Sequence, residues 1–348
     1  MLPRHLGLPA AYEPRLRALL AEFDFKLEDS RALAHAILQL SDYYLANPGG
    51  STPWNEPWAQ AASLAYYFPL NYVRALAVAN EARRLGFFEG LTGLHDFGSG
   101  MGSALHAWSD VVGEDFALEA SDVSSSSLEL SERLAPAGRS FSRVIKSDPR
   151  STLLLASYVL TELESWPALW DEYEALAVIE PSTQADARRL MGEREPLLAK
   201  GYRFWGPCTH EAACPLFVHS AKDWCHDRVH LDAPEWLAAI EKHLPMKNRT
   251  LTFSYLLARR QAPPTGLGSL ARMVGDTLEE KGKTRQALCR SSEREFLAWF
   301  PQRMARDESV EIERGALVSL RDGLEKKSNE VRLKTPGDLR VLRSDESV

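Results

Sequence analysis

The sequence predicts an open α/β sheet with a helical segment before it and a small β-rich segment after it. Between residues 94 and 260, short apolar segments of strand length alternate with segments of helical periodicity, and this alternation is typical of α/β proteins. A glycine-rich turn at residues 98–102 lies where the first of these strands passes into a helix. Ligands of open α/β sheets bind at such carboxyl ends of strands.

Residues 1–90 are predicted to form a helical N-terminal part. Leucines and other apolar residues recur at helical spacing between residues 11 and 46. A loop rich in Pro, Gly and Trp follows at 47–58, and a second helical stretch runs from about residue 59 to residue 86. Pro69 is expected to kink or interrupt that stretch, because proline lacks an amide donor.

The α/β domain is predicted to span residues 91–260 and to contain seven strands. The predicted strands are 94–97, 116–122, 142–148, 152–160, 175–181, 202–207 and 250–260. Residues 207–249, between the last two strands, are predicted to be an insertion held at the edge of the sheet. A β-rich appendage is expected at 261–322, followed at 323–348 by a charged tail that is poor in large apolar residues and therefore partly disordered.

Composition limits the class of protein. The 348 residues are 45% hydrophobic and 26% charged, as in an ordinary globular protein. No apolar run approaches the roughly 18 residues that span a bilayer, and the N-terminus lacks the apolar core and cleavage site of a signal peptide. We therefore expect a cytoplasmic protein without a membrane anchor, whose cysteines are thiols or metal ligands and not a disulfide framework.

The net charge of −7 is unevenly distributed along the chain. Residues 1–240 carry 20 Lys and Arg against 32 Asp and Glu, whereas residues 241–348 carry 21 against 16. A basic segment on an acidic chain predicts a localised contact with a polyanion, and a merely solvated face is the alternative. The candidate RNA-binding residues are Lys247, Arg249, Arg259, Arg260, Arg272, Lys283 and Arg285.

The glycine turn predicts a cofactor site, because its backbone can approach a ligand closely and aim helix N–H groups at it. Asp122 ends the second strand, where a carboxylate can accept both hydroxyls of a ribose. Asp96 precedes the turn, where an acidic residue can contact the amino-acid end of S-adenosylmethionine. A nicotinamide cofactor and an empty, degenerate pocket are the alternatives. The predicted S-adenosylmethionine-binding residues are Asp96, Gly98, Ser99, Gly100, Gly102, Asp122 and Ser157.

The cysteines predict a metal site. Cys208, Cys214 and Cys225 lie in one stretch that also holds four of the nine histidines, and Cys289 follows much later. Zinc ribbons usually pair cysteines two to four residues apart, and this chain has no such pair. A [4Fe–4S] cluster is larger and accepts irregular spacing. Zinc on three cysteines with His210 or His226 is equally compatible with the spacing, and four unrelated buried cysteines are the remaining alternative.

Five further motifs accompany the glycine turn in order along the chain. They are ASYVLTEL at 156–163, VIEPST at 178–183, GPCTHEAACPL at 206–216, DWCH at 223–226 and FSYLLARR at 253–260. With these motifs the chain resembles, over about residues 60–320, the predicted ribosomal-RNA methylase family. Its mitochondrial members associate with the small ribosomal subunit and help to assemble it.

The resemblance implies a class I S-adenosylmethionine methyltransferase-like, Rossmann-like fold. It also implies that Cys208, Cys214, Cys225 and Cys289 are the four ligands of a [4Fe–4S] cluster. The implied partner is small-subunit ribosomal RNA or the assembling small subunit. Two residues depart from the family pattern. Thr209 replaces the proline of the usual Cys-Pro-His, and Ser182 replaces the glycine of the usual Glu-Pro-Gly. Ser182 stiffens a turn near the cofactor cleft, which leaves cofactor binding less certain.

The sequence shows no obvious catalytic apparatus. The fourth strand ends in SYVLTEL at 157–163, not in the Asn/Asp-Pro-Pro-aromatic turn of adenine-N6 methylases. Cytosine-C5 methylation needs a thiolate nucleophile, and the metal assignment uses every cysteine. Tyr158 and Glu162 are the candidates for a general base, with a purely structural role as the alternative. An active S-adenosylmethionine-dependent RNA methyltransferase and a catalytically inactive assembly or RNA-binding factor therefore both remain possible.

Overall fold

The computed structural model describes residues 4–47, 49–304 and 310–342. Its helices are α1 Glu13–Glu22, α2 Ser30–Ala46, α3 Pro57–Ala62, α4 Phe68–Arg84, α5 Ser103–Ser109, α6 Ser125–Leu134, α7 Gln184–Gly192, α8 Arg194–Ala199, α9 Pro215–Val218 and α10 Glu235–Glu241. Within those ranges no helix has the length and apolar character needed to cross a membrane.

The strands of the α/β domain are β1 His5–Gly7, β2 Gly93–Phe97, β3 Ala117–Ser121, β4 Thr152–Ser157, β5 Ala175–Glu180, β6 Arg203–Gly206, β7 Asp227–Asp232 and β8 Thr250–Arg259. Those of the C-terminal part are β9 Ala271–Met273, β10 Leu278–Glu280, β11 Lys283–Cys289, β12 Glu295–Trp299, β13 Leu317–Leu320, β14 Glu325–Lys327, β15 Glu330–Arg332 and β16 Leu339–Val341.

The N-terminal helices pack against the sheet, with α4 buried along most of its length. The stretch from 57 to 84 stays helical throughout, but it adopts π-helical geometry at Ser63–Tyr67, immediately before α4. Pro69 lies in the first turn of α4, directly after this π-helical turn, and cannot donate an amide to it; wider turns of this kind accommodate such a loss without ending the helix. The expected interruption is therefore a local widening of the helix and not a break.

The central sheet has the order β1-β7-β8-β5-β4-β2-β3, with β6 also paired to β8. Strands β2, β3, β4 and β5 run parallel to their neighbours, and β8 runs antiparallel to β5. The predicted α/β sheet is thus present as a mixed sheet.

The predicted strand at 142–148 is wrong. Only an isolated bridge between Ser142 and Glu119 remains of it. The Glu119 carboxylate instead accepts the backbone amides of Lys146 and Ser147, at 2.7 and 3.0 Å. Val144 is 59% exposed, so the apolar residues that suggested a strand are not buried by a neighbour.

The predicted insertion at 207–249 is shorter in the structure, because part of it returns to the sheet. Strand β6 pairs with the end of β8 near Arg259, and β7 pairs with the beginning of β8 near Thr250. Both lie antiparallel to β8. The chain therefore leaves this edge after Gly206 and rejoins it at Asp227. We call residues 207–226 the cysteine excursion.

The C-terminal part forms a second, mostly antiparallel sheet in the order β14-β15-β12-β11-β9-β13-β16, with β10 on β11. The expectation of a disordered tail is wrong for residues 325–341, which form β14, β15 and β16. Val331 and Leu333, at 2% and 3% exposure, join the core of this sheet. A few apolar residues are enough to order this segment, because they pack on a sheet that the preceding strands already form. Residues 343–348 of the predicted tail lie outside the described residues.

Arg272, in β9, connects all three parts of the molecule and is 2% exposed. Its guanidinium donates to Pro207 O at 2.9 Å in the cysteine excursion, to Gly315 O at 2.8 Å in the appendage and to Glu81 Oε1 at 2.6 Å in α4. Burial alone would raise the pKa of Glu81, but the guanidinium groups of Arg272 and Arg84 lower it to about 2. The ion pair therefore stays charged in the interior.

Candidate cofactor cleft and cysteine site

The carboxyl ends of β2, β3 and β4 open into a cleft of about 1130 Å³. All predicted cofactor residues except Gly102 line it, as do Tyr158 and Glu162. Gly102 begins α5 with a φ of +78°, and a Cβ at this position would come within 2.1 Å of Ser131 Oγ. Its role is thus to let α5 and α6 approach each other, beneath the turn that faces the cleft.

Asp122 holds the glycine turn against the end of β3. Its Oδ2 accepts the amide of Gly100 and its Oδ1 accepts the amide of Ser124, both at 2.8 Å. Each carboxylate oxygen can accept a further hydrogen bond. Asp122 can therefore receive ligand hydroxyls while it fixes the two loops.

Asp96 is buried at the floor of the cleft, with 1% exposure. Ser99 Oγ donates to its Oδ2 at 2.6 Å, whereas Oδ1 has no hydrogen-bond partner within the described residues. Burial raises the pKa of Asp96 to about 7. An unsatisfied acceptor that ionises near neutral pH fits a cationic group such as the ammonium of S-adenosylmethionine.

The second wall of the cleft was not identified from the sequence. It comes from the N-terminal part, which contributes Tyr44, Trp54, Tyr67 and Asn71. The one available signal was the Pro-, Gly- and Trp-rich loop at 47–58. The described lining of the cleft contains carboxylates but no Lys, Arg or His, so the cleft suits a cationic ligand.

The catalytic candidates lie together at the end of β4. Tyr158 has a φ of +64°, and burial raises the pKa of its phenol, so the hydroxyl stays protonated at neutral pH. Glu162 is exposed to the cleft, and partial burial, with the charge of Asp122, raises its pKa. Nearby, the buried Glu180 accepts the amide of Leu160 at 2.8 Å, which supports this turn. Ser182 does not line the cleft, and its hydroxyl donates to Thr252 Oγ1 at 2.6 Å.

The structure brings the four cysteines to one cavity, between α7, β8 and the appendage. Cys208 and Cys225 lie near the two ends of the cysteine excursion, Cys214 precedes α9, and Cys289 ends β11. All four line the cavity together with apolar side chains that include Leu190, Leu216 and Val274, and all four are free thiols. The donor set of four sulfur atoms in apolar surroundings fits a soft metal centre.

In the described ranges, no group of three or more His, Cys, Asp or Glu is arranged to hold a metal ion. A tetrahedral zinc ion with Zn–S bonds of about 2.3 Å needs sulfur atoms only about 3.8 Å apart. His210 Nε2 lies 3.4 Å from Cys289 Sγ, but neither His210 nor His226 lines the cysteine cavity.

The predicted RNA-binding residues do not form one basic face. Arg259 and Arg272 are corrections to the prediction, because they are 3% and 2% exposed and donate to interior partners such as Phe87 O and Glu81. Lys283 and Arg285 are paired with Glu280. Three further candidates are exposed: Lys247, Arg249 and Arg260. Long-range burial and pairing of this kind leave no local signal in the sequence.

Asp96→Asn is expected to change how stability depends on pH. The folded pKa of about 7 lies above the ordinary 3.8, so the native protein retains a proton that the unfolded chain releases. This stabilisation is complete below about pH 4 and is lost as the pH rises through 7, by up to about 4 kcal/mol. Denaturant unfolding should therefore show that the free energy of unfolding of the variant, relative to that of the wild type, is higher at pH 8 than at pH 5. The exposed Asp115→Asn serves as control, and identical profiles for Asp96→Asn and the wild type would contradict this expectation.

Known structures resemble the chain only distantly. An S-adenosylmethionine-dependent methyltransferase from Aquifex aeolicus is 23% identical, with a TM-score of 0.23 over 29% of this chain and 63% of that one. A putative RNA methyltransferase from Pyrococcus horikoshii is 12% identical, with a TM-score of 0.34 over 66% and 97%. Ribosomal protein L11 methylase from Lactobacillus delbrueckii subsp. bulgaricus is 16% identical, with a TM-score of 0.29 over 53% and 77%.

The strand order and the antiparallel β8 are those of a class I S-adenosylmethionine methyltransferase-like fold with N-terminal helices and a C-terminal β-sheet. No sequence among curated proteins matches the chain. Residues 60–298 match the family described as mitochondrial small ribosomal subunit Rsm22. Because this match includes the cleft's β-strands, the cysteine excursion and Cys289, and covers well over half of the chain, the protein belongs to the Rsm22 family.

Proposed function

We propose that the chain is an S-adenosylmethionine-dependent methyltransferase that acts on ribosomal RNA of the small subunit. The observation that carries the proposal is the buried Asp96, whose unpartnered Oδ1 lies beside the glycine turn. The family description supplies the link to the small ribosomal subunit. The cytoplasmic location expected from the sequence stays a prediction.

Each part of the cleft has a role in this proposal. Asp96 would hold the ammonium group of the cofactor, Asp122 its ribose hydroxyls, and the turn at Gly98–Gly100 would lie against it. Val123 is 97% exposed next to Asp122 and would cover an apolar ring. The bound cofactor supplies an electrophilic methyl group. The protein then acts mainly by positioning the acceptor, and Glu162 or Tyr158 would accept its proton.

A second cofactor is part of the proposal. Cys208, Cys214, Cys225 and Cys289 would bind a [4Fe–4S] cluster, because all four line one cavity with apolar walls and their irregular spacing in the sequence suits such a cluster. Zinc remains the alternative. The cluster would join the cysteine excursion to the appendage, and its role would be structural, since no described residue of the cysteine cavity also lines the methyl-transfer cleft.

The second candidate function is an assembly or RNA-binding factor without methyltransferase activity. The protonated state of Tyr158 and the exposure of Glu162 favour it, since neither side chain is held as a base by a neighbouring residue. In that case the cleft would bind the cofactor without methyl transfer, and the partner would still be the assembling small subunit.

Asp122→Ala is expected to weaken cofactor binding about 10- to 100-fold, because it removes charge-assisted hydrogen bonds to the ribose. Calorimetry with S-adenosylhomocysteine measures this loss, with the exposed Asp115→Ala as control. Methyl transfer from labelled cofactor to small-subunit ribosomal RNA should fall in parallel.

The two measurements separate the alternatives. Wild-type protein that binds the cofactor but methylates neither mature nor immature subunits would identify the assembly factor. Wild-type protein that does not bind the cofactor would rule out the methyltransferase.

Anaerobically purified protein is expected to be brown and to contain about four irons per chain. Cys289→Ser should lose this iron although the cysteine excursion itself is intact, since the ligands come from both parts. Elemental analysis and visible absorbance measure the loss. Ser254→Ala is the matched control: its hydroxyl donates to Cys225 O at 2.8 Å and it lines the same cavity, but it supplies no thiol. Colourless protein with one zinc per chain would favour the alternative metal.

A further inference from the structure

The cysteine cavity contains a buried cation that lacks a carboxylate partner. Arg194, at the start of α8, is 5% exposed and lines the cavity with the four cysteines. Its guanidinium donates to His210 O at 3.0 Å and to Ala212 O at 3.1 Å. No Asp or Glu among the residues described here forms an ion pair with it. Burying an unpaired charge is unfavourable, so the site is built to receive an anion.

The second cation of this cavity shows the contrast. Arg272 lines the same space, but it forms an ion pair with Glu81 at 2.6 Å, a carboxylate that it shares with Arg84. Arg194 has no such partner, and its Nε makes no hydrogen bond to any described residue. Arg194 lines the cavity beside Cys208, Cys214 and Cys289. Burial alone would lower the pKa of its guanidinium, but the charges of these three groups raise it. The guanidinium also lies over the ring of Phe204, 4.7 Å from its centroid, and this cation–π contact fixes the side chain in this position.

We propose that Arg194 is the internal counter-ion of the [4Fe–4S] cluster and sets its reduction potential. This inference rests on the proposed cluster. Four thiolates around a doubly positive iron–sulfur core carry a net charge of −2, and one added electron makes it −3. A fixed guanidinium stabilises the more negative state more strongly, because the interaction grows with charge and is weakly screened inside the protein. Charge and hydrogen bonds near the sulfur atoms are known to tune such potentials.

A neighbouring arginine provides a matched control. Arg188, on α7, also holds the cysteine excursion, donating to Ser220 O at 2.8 Å and Asp223 O at 2.9 Å. It does not line the cysteine cavity. Arg188→Met therefore removes contacts to the cysteine excursion but leaves the positive charge of Arg194 beside the sulfur atoms.

The test is a dithionite titration of the reconstituted full chain, followed by electron paramagnetic resonance. Arg194→Met should shift the midpoint potential to more negative values. Arg194→Lys, which keeps the positive charge, should bring the potential most of the way back to the wild-type value. Arg188→Met should keep the wild-type potential. An unshifted potential in Arg194→Met, or an equal shift in Arg188→Met, would overturn the counter-ion role.

Iron content resolves the remaining outcomes. If folded Arg194→Met binds no iron, the iron content of Arg194→Lys decides the outcome. Iron bound by Arg194→Lys supports the need for a positive charge at this position, and iron lost from Arg194→Lys as well overturns the counter-ion role. Wild-type protein without iron after anaerobic reconstitution would overturn the cluster and this role together. If the wild-type protein binds iron but substitution of Arg194 leaves the midpoint potential unchanged, only the counter-ion role is overturned.

Discussion

The interrupted edge beside β8 is the constraint on which the C-terminal half of the molecule depends. Strands β6 and β7 occupy the two ends of this edge, and the chain leaves the sheet between them. Cys208 and Cys225 lie close to the points of departure and return, and Ser254, in β8 opposite the gap, donates to Cys225 O at 2.8 Å. The central sheet thus positions Cys208 and Cys225, whereas Cys289 comes from β11 of the appendage.

Arg272 extends this constraint to the rest of the protein. One guanidinium donates to Pro207 O, Gly315 O and Glu81, so the excursion, the appendage and α4 meet at a single buried ion pair. Breaking such a pair by removing one partner typically destabilises a protein by about 3–5 kcal/mol. The same helix, α4, carries Asn71 into the cofactor cleft. Helix α4 therefore lines the cleft directly and contacts the cysteine cavity through the pairing of Glu81 with Arg272.

Features with a local signal could be predicted from the sequence. The glycine turn, the strands around it and the cleft at their carboxyl ends follow from periodicity and turn chemistry. That Cys289 belongs with the cysteine stretch was implied by the family resemblance. Features that depend on distant neighbours could not be predicted. The segment at 142–148 reads as a strand but finds no partner, whereas β7, with its His and Asp residues, reads as part of a metal loop but pairs with β8. Arg259 and Arg272 read as surface charges, yet their carbonyl and carboxylate partners lie far away in the chain.

Backbone hydrogen exchange, with the proposed cluster reconstituted and after its removal by a chelator, tests most directly whether the cysteine site holds the appendage to the sheet. Local stability is reported by exchange protection. We predict that removal lowers protection in residues 207–226 and in β9 and β11, while β2, β4 and β5 keep theirs. Unchanged protection in the excursion and the appendage, or a uniform loss across the whole sheet, would contradict this assignment.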